Sequence, residues 1–252
     1  RKKQMIFYGP PGTGKTYVAD KIADAITEDN DGFTKTVQFH QSYEYEDFIQ
    51  GIRPDTDNNG NLNYGLEKGT FLEFCKKAED RIGPCVLILD EINRADVSSV
   101  FGELMYLLEY RDEKVQLAQH KDDEEFGIPD NVYILGTMNT ADRSIALVDF
   151  ALRRRFAFIP LYPNFDVLED YYEGTGVDVS DLIDKLEYIN EEEINDQHYS
   201  LGYTYFLDVD LQEELPNIWK LEIEPYLEEY FVDDRDTVDE YRWDNVEEDI
   251  SL

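Results

Sequence analysis

The stretch Gly9-Pro10-Pro11-Gly12-Thr13-Gly14-Lys15-Thr16, "GPPGTGKT", decides how the rest of the chain is read. It follows the apolar run Met5 to Tyr8, which reads as a buried strand. It precedes a segment in which Val18, Ala19, Ile22, Ala23 and Ile26 recur every three or four positions, the mark of a helix with one apolar face. A glycine-rich turn between a strand and a helix, spaced G-x-x-x-x-G-K-[ST], suits the wrapping of a phosphate chain. Glycines let the backbone approach, successive amides and the helix N-terminus face the anion, Lys15 reaches the β- and γ-phosphates, and Thr16 offers a hydroxyl to Mg2+. Gly9 through Thr16 are therefore the candidate nucleotide-binding residues.

Outward from this loop, strands alternate with helices. Thr36 to Phe39 reads as a second strand. "GIRPDTDNNGNLNYGLEKGTF", residues 51–71, carries Pro54, Asn59-Gly60 and Gly65, the turn chemistry of a hairpin. Phe71, Phe74, Cys75 and Ala78 then mark a helix. Val86 to Leu89 is an unbroken aliphatic run, as expected of a strand buried on both faces of a parallel sheet. A helix from Val97 to Tyr110 follows, then strands at Val132 to Leu135 and Phe156 to Ile159. This alternation predicts a three-layer α/β fold around a parallel central sheet, closed near Pro160 and Pro163 and assigned to residues 1–163. From Asn164 the pattern turns acidic and amphipathic ("FDVLEDYY", "VSDLIDKLEYINEEE", "LPNIWKLEIEPYLEEYF"), which predicts a small α-helical domain over 164–252. Its end, from about Asp233, is a charged tail that is either frayed or docked through Tyr241 and Trp243.

The chain has 57 acidic and 23 basic residues, net charge −34, and the imbalance is uneven: −9 over residues 1–163 and −25 over 164–252. A surface of this sign repels nucleic-acid phosphates and disfavours non-specific DNA binding by this chain alone. A salt-rich cytoplasm is one setting that would screen such self-repulsion. No apolar run approaches the roughly 20 residues a membrane-spanning helix needs. Arg1-Lys2-Lys3-Gln4-Met5 lacks the form of a signal peptide, so a cytoplasmic location and a start inside a longer protein are expected. Cys75 and Cys85, and His40, His120 and His198, show no metal-ligand spacing.

Three further groups carry chemistry. Asp90 and Glu91 end the aliphatic strand, where ligands of open α/β sheets sit. Asp90 would support the Mg2+ shell and Glu91 would polarise an attacking water. Asn139 ends the strand before "TADRS"; an amide there can orient that water or sense the γ-phosphate, or it can simply form a turn. Arg153, Arg154 and Arg155 precede the last strand. They read either as an arginine finger reaching a neighbouring subunit's nucleotide, with at most two of the three catalytic, or as an ion-pairing patch.

In this order the motifs resemble an AAA+ ATPase-type module. The segments "VQFHQSYEYEDFIQGIRP", "LDEINRADVSSVFGELMYLLE" and "IPDNVYILGTMNTADRSIALVDFALRRRF" are similar to the McrB family, the GTP-using AAA+ motor subunits of modified-cytosine restriction systems. The resemblance implies GTP hydrolysis at subunit interfaces of a hexameric ring, a McrC nuclease partner, and a separate N-terminal DNA-reading domain outside this stretch. It also ties the MNxxDR signature to hydrolysis, so Asn139, Asp142 and Arg143 carry over as catalytic candidates. "LGYTYFL", residues 201–207, resembles the family's Gly-His-Ser-Tyr segment, with Tyr203 and Thr204 in place of His and Ser. Two alternatives stand beside this reading: an ATP-dependent remodelling or chaperone protein of the same fold, and a nucleotide-binding scaffold without turnover.

Overall fold

The structure, a computed structural model, describes residues 2–28, 31–56, 62–118, 125–142 and 150–252. The Asn59-Gly60 turn, His120 and Arg143 lie outside the described residues. The chain forms two compact units. One comprises the residues up to Tyr8 together with Lys15–Ile159, and the other Gly9–Gly14 together with Pro160–Leu252.

The first unit is built on strands β1 (Gln4–Gly9), β2 (Thr34–Gln38), the hairpin pair β3 (Gln50–Thr56) and β4 (Leu62–Lys68), β5 (Cys85–Asp90), the short pair β6 (Val115–Gln116) and β7 (Glu125–Phe126), β8 (Val132–Asn139) and β9 (Ala157–Pro160). Among the described residues five of them form the central parallel sheet, in the order β2-β5-β8-β1-β9. β5 shows why the aliphatic run belongs at the centre: Cys85 to Leu89 are wholly buried, and the strand is paired on both edges, Thr34 with Val86 and Leu89 with Gly136. Because β5 and β8 run parallel, Asp90 and Asn139 emerge at the same sheet edge.

The helices of this unit are α1 (Lys15–Thr27), α2 (Tyr45–Phe48), α3 (Thr70–Glu79), α4 (Val97–Phe101), α5 (Leu104–Glu109) and α6 (Phe150–Arg155). Phe48, Phe71 and Phe101, each fully buried, pack ring on ring, with centroids 4.8 Å apart for Phe48–Phe101 and 5.1 Å for Phe48–Phe71. The single helix expected over Val97 to Tyr110 is two. Gly102 breaks it at φ +49, where a β-carbon would stand 2.9 Å from the Tyr45 ring. The neighbouring Glu103 carboxylate accepts from Tyr45 Oη at 2.8 Å and from the Ala118 amide at 2.7 Å, so the bend is held by partners remote in sequence.

In the second unit α7 (Asp166–Tyr172), α8 (Ser180–Tyr188), α9 (Leu211–Ile218), α10 (Glu224–Tyr230), α11 (Arg235–Glu240) and α12 (Trp243–Val246) enclose a separate core. Trp219 is its fully buried centre, and its Nε1 donates to the Tyr241 carbonyl at 2.8 Å. The terminal tail is docked rather than frayed: Tyr241 and Trp243 are buried, with the Trp219 and Trp243 rings 6.1 Å apart. α8 does not continue regularly through Glu193 but widens over Ile189–Ile194 into π-helical turns. In a regular helix residues five apart point about 140° apart; the i→i+5 turns keep both Ile189 and Ile194 buried. No helix among the described residues is long and apolar enough to cross a membrane.

Candidate functional site

The first unit gathers its site residues at the carboxyl edge of β5 and β8. Thr16, in the first turn of α1, donates its hydroxyl to Asp90 Oδ1 at 2.9 Å. Thr137, a buried hydroxyl near the end of β8, donates to the same oxygen at 2.6 Å and accepts from the Glu91 amide at 3.1 Å. Glu91 leaves the strand in the left-handed region, φ 53° and ψ 45°, a conformation that costs a non-glycine residue roughly 1 kcal/mol or more and persists where surrounding bonds over-determine it. The Thr137 bond to its amide is one of those bonds.

The Glu91 carboxylate is turned toward charge. Its Oε2 is buried, accepts no hydrogen bond, and lies 3.5 Å from Arg94 Nε; Arg94 Nη2 in turn lies 3.3 Å from Asp142 Oδ2. Burial pushes the Glu91 carboxyl above its ordinary range; Arg94 pulls it back, Asp90 pushes it further, Lys15 opposes and Asp142 adds to the rise. Burial also drives the Lys15 ammonium down to about 8, against the pull of Glu91 and Asp90. Lys15 is thus a cation set beside two acids at the start of α1, where an incoming polyphosphate would meet it.

Asn139 makes the local turn that its residue type favours: its Oδ1 accepts from the Ala141 amide at 3.2 Å, while its carbonyl accepts from Asn93 Nδ2, also at 3.2 Å. The arginine cluster forms the last turn of α6. Arg154 and Arg155 both pair with Glu109, and Arg155 also donates to the Met105 carbonyl at 2.6 Å. Arg153 lies over the Phe158 ring, 5.6 Å from its centroid. The structure thus joins Thr16, Asp90, Glu91 and Asp142 through Thr137 and Arg94, two residues that sequence reasoning missed. Their signals were faint: one hydroxyl inside the apolar run "ILGTMN", and one arginine three positions after Glu91.

The other half of the motif, Gly9–Gly14, belongs to the second unit. Gly9 has no room for a side chain, since a β-carbon would sit 2.0 Å from the Leu161 carbonyl oxygen. Thr13 Oγ1 donates to the Pro10 carbonyl at 3.0 Å, and Gly12 and Gly14 take φ of +73° and +75°. At Gly12 a β-carbon would meet the Tyr205 ring at 2.4 Å. The loop is therefore a tight backbone wrap of the kind that presents amides to an anion.

A strand-loop-helix phosphate motif, paired acids at a parallel strand end and a helical second unit define a P-loop NTPase of α/β fold. The chain belongs to the AAA family: residues 4–156 match the AAA domain (dynein-related subfamily). Residues 181–239 match the McrB alpha-helical lid domain, which makes it McrB-like within that family. It is 43% identical over 259 residues to the type IV methyl-directed restriction enzyme EcoKMcrB subunit of Escherichia coli, an alignment covering 92% of this chain and 55% of that protein. It is 30% identical over 192 residues to the type II restriction enzyme BsuMI component YdiS of Bacillus subtilis, covering 62% of this chain and 56% of that one. The chain spans little more than half the length of these relatives.

Proposed function

We propose that this chain is the nucleotide-hydrolysing motor module of a McrB-like, modification-dependent restriction complex. In this reading it prefers GTP to ATP, requires Mg2+, assembles into a hexameric ring, drives a McrC-like nuclease subunit, and leaves DNA reading to a separate N-terminal domain. Likeness to two restriction proteins supports the biological setting. The observation that carries the chemistry is the convergence of the Thr16 and Thr137 hydroxyls on Asp90 Oδ1, with the buried Glu91 carboxyl beside it.

Thr16 and Asp90 are an all-oxygen donor pair that suits Mg2+, which takes one or two protein oxygens and completes its shell with phosphate oxygens and water. Among the described residues no group of three or more His, Cys, Asp and Glu side chains could hold a metal without such help. Thr16 and Asp90 would hold the ion, and it would supply positive charge against the phosphoryl oxygens. Glu91, at the strand end beside Asp90, takes the proton of the attacking water as general base. Lys15 pairs with phosphate, Asn139 orients the water, and Asp142 keeps Arg94 and so Glu91 in place; Arg143 is carried as a catalytic candidate by the MNxxDR signature alone. Arg154 and Arg155 are engaged with Glu109, which favours Arg153 as the finger that reaches a neighbouring copy's nucleotide.

Single-turnover hydrolysis of GTP, with and without the McrC-like subunit, tests the roles. Glu91→Gln should abolish turnover while nucleotide affinity survives; undiminished turnover would refute the assignment. Competition of ATP against GTP separates the ATP-dependent remodeller. A wild-type chain inert in both conditions would be a scaffold.

A further inference from the structure

The segment 202–205, Gly-Tyr-Thr-Tyr, lies within the stretch that matches the McrB alpha-helical lid domain and is seated on the phosphate loop inside the second unit. The Thr204 amide donates to the Gly12 carbonyl at 2.9 Å, and the Tyr203 hydroxyl donates to the Thr13 carbonyl at 3.3 Å. Contact is close enough that a β-carbon on Gly202 would lie 2.1 Å from the Gly12 carbonyl, and one on Gly14 would lie 3.3 Å from the Tyr203 hydroxyl.

The geometry of the peptide bond turns these contacts into a statement about the opposite side of the loop. None of the described peptide bonds is cis. In a trans peptide the carbonyl of one residue and the N–H of the next point in opposite directions. The Gly12 carbonyl shares its plane with the Thr13 N–H, and the Thr13 carbonyl shares its plane with the Gly14 N–H. Holding both carbonyls toward residues 203–204 therefore aims two successive amides away from that segment. Those are amides of the motif's central residues, the ones a phosphate chain would use as donors. Free rotation of either plane would turn a carbonyl, and its negative end, toward the anion.

We infer that Tyr203 and Thr204 are positioning residues for the phosphate-binding loop, locking the Gly12–Thr13 and Thr13–Gly14 peptide planes in the orientation that offers their amides to a nucleotide's phosphates. Preset donors cost no reorganisation when the anion arrives. The side chain needed at position 203 is one with a hydrogen-bond donor at the end of a rigid ring; at position 204 the backbone amide does the work, so its side chain is open to change.

This inference rests on the phosphate-loop reading above, and the test separates the two. Affinities of the whole chain for GDP and GMP, and for ADP and AMP, are measured by calorimetry, with melting temperature as the control for folding. Wild-type protein should bind the diphosphate more tightly than the monophosphate in at least one of the pairs GDP/GMP and ADP/AMP, and the variants are read with that pair, written here for guanine; equal binding within both pairs would remove the phosphate-loop reading and this inference with it. Tyr203→Phe deletes one hydroxyl and should lower the GDP-to-GMP affinity ratio by about three- to ten-fold, the loss of one hydrogen bond. Gly202→Ala, which must push the segment off the loop, should lower it further. If wild-type protein discriminates and folded Tyr203→Phe keeps the full ratio, or weakens GDP and GMP equally, the positioning role is overturned.

Discussion

Valine matches threonine in shape but has no hydroxyl, so Thr137→Val removes two bonds at once without opening a cavity. The first is the donation to Asp90 Oδ1 at 2.6 Å, a hydrogen bond to a carboxylate by a residue only 2% exposed. Bonds to charged groups contribute about 1.5–3 kcal/mol. The second is the acceptance from the Glu91 amide at 3.1 Å. Its loss leaves a donor without its partner on a residue in the left-handed region, which adds about 1–3 kcal/mol. Asp90 still accepts from Thr16 at 2.9 Å, which offsets part of the first loss. The net expectation is about 3 kcal/mol, or roughly 6–12 °C in the melting of a unit of this size. Both tryptophans, Trp219 and Trp243, lie in the second unit, so fluorescence is blind to this change. The assay is far-UV circular dichroism together with hydrogen exchange at the amides of β5 and β8. Turnover should fall with stability, and Thr137→Ser, which restores the hydroxyl, should recover most of both. A Thr137→Val protein within about 0.5 kcal/mol of wild type, inside the range of a neutral surface change, and fully active would refute the argument that this hydroxyl holds the two acids.

Arg94→Ala and Asp142→Ala should each slow turnover while leaving nucleotide affinity and folding largely intact, because both side chains are partly exposed and act through the same bridge to Glu91. The double variant should be no slower than the worse single one; multiplying losses would show that the two act independently. Asp31 accepts from the Gly83 amide at 2.6 Å and the Ile82 amide at 3.2 Å, and these amides, Gly83 first, hold its carboxyl below the usual range. Its charge therefore contributes fully above the unfolded carboxylate pKa of about 4 and is lost as pH falls through the lower folded value. Asp31→Asn should shift the urea midpoint at pH 7 and progressively less below pH about 4, and a difference that persists undiminished at low pH would contradict the assignment. Residues 164–252 carry 29 acidic and 4 basic side chains. Raising salt from 0.1 to 1 M shortens the screening length from about 10 to about 3 Å, so the tryptophan-detected melting of the second unit should rise with KCl, and a flat response would show that self-repulsion is not limiting there.

What could be read from the residues alone follows from how local its cause is. Val86 to Leu89 announces a central strand because burial on both faces demands four aliphatic residues in succession, and nothing outside the segment alters that. The break at Gly102 was hidden, because glycine permits the bend but Tyr45, Glu103 and Ala118 hold it from other parts of the chain. The strands β6 and β7 were hidden for a different reason: two residues each are too short to show any period. The docking of the tail was left open in the sequence, since Tyr241 and Trp243 reveal hydrophobicity but not the indole of Trp219 that needs the Tyr241 carbonyl.

The candidate site divides along the same line. Asp90 and Glu91 stand out because two acids after an aliphatic strand violate the local pattern, and such violations concentrate where function is held. Thr137 and Arg94 violate nothing: a threonine suits a strand, and an arginine suits a turn in an acidic chain. Their roles exist only because the register that pairs Leu89 with Gly136 brings the next residues of β5 and β8 side by side. The phosphate loop is the extreme case. Its glycines were the most legible feature of the chain, yet the groups that orient its carbonyls come from Tyr203 and Thr204, some 190 positions away. Composition marks a change of character near Asn164, but it cannot show that Gly9–Gly14 packs with the residues beyond that point. A motif names the atoms that touch a ligand; the bonds that aim those atoms are spread through the chain, and only the fold collects them.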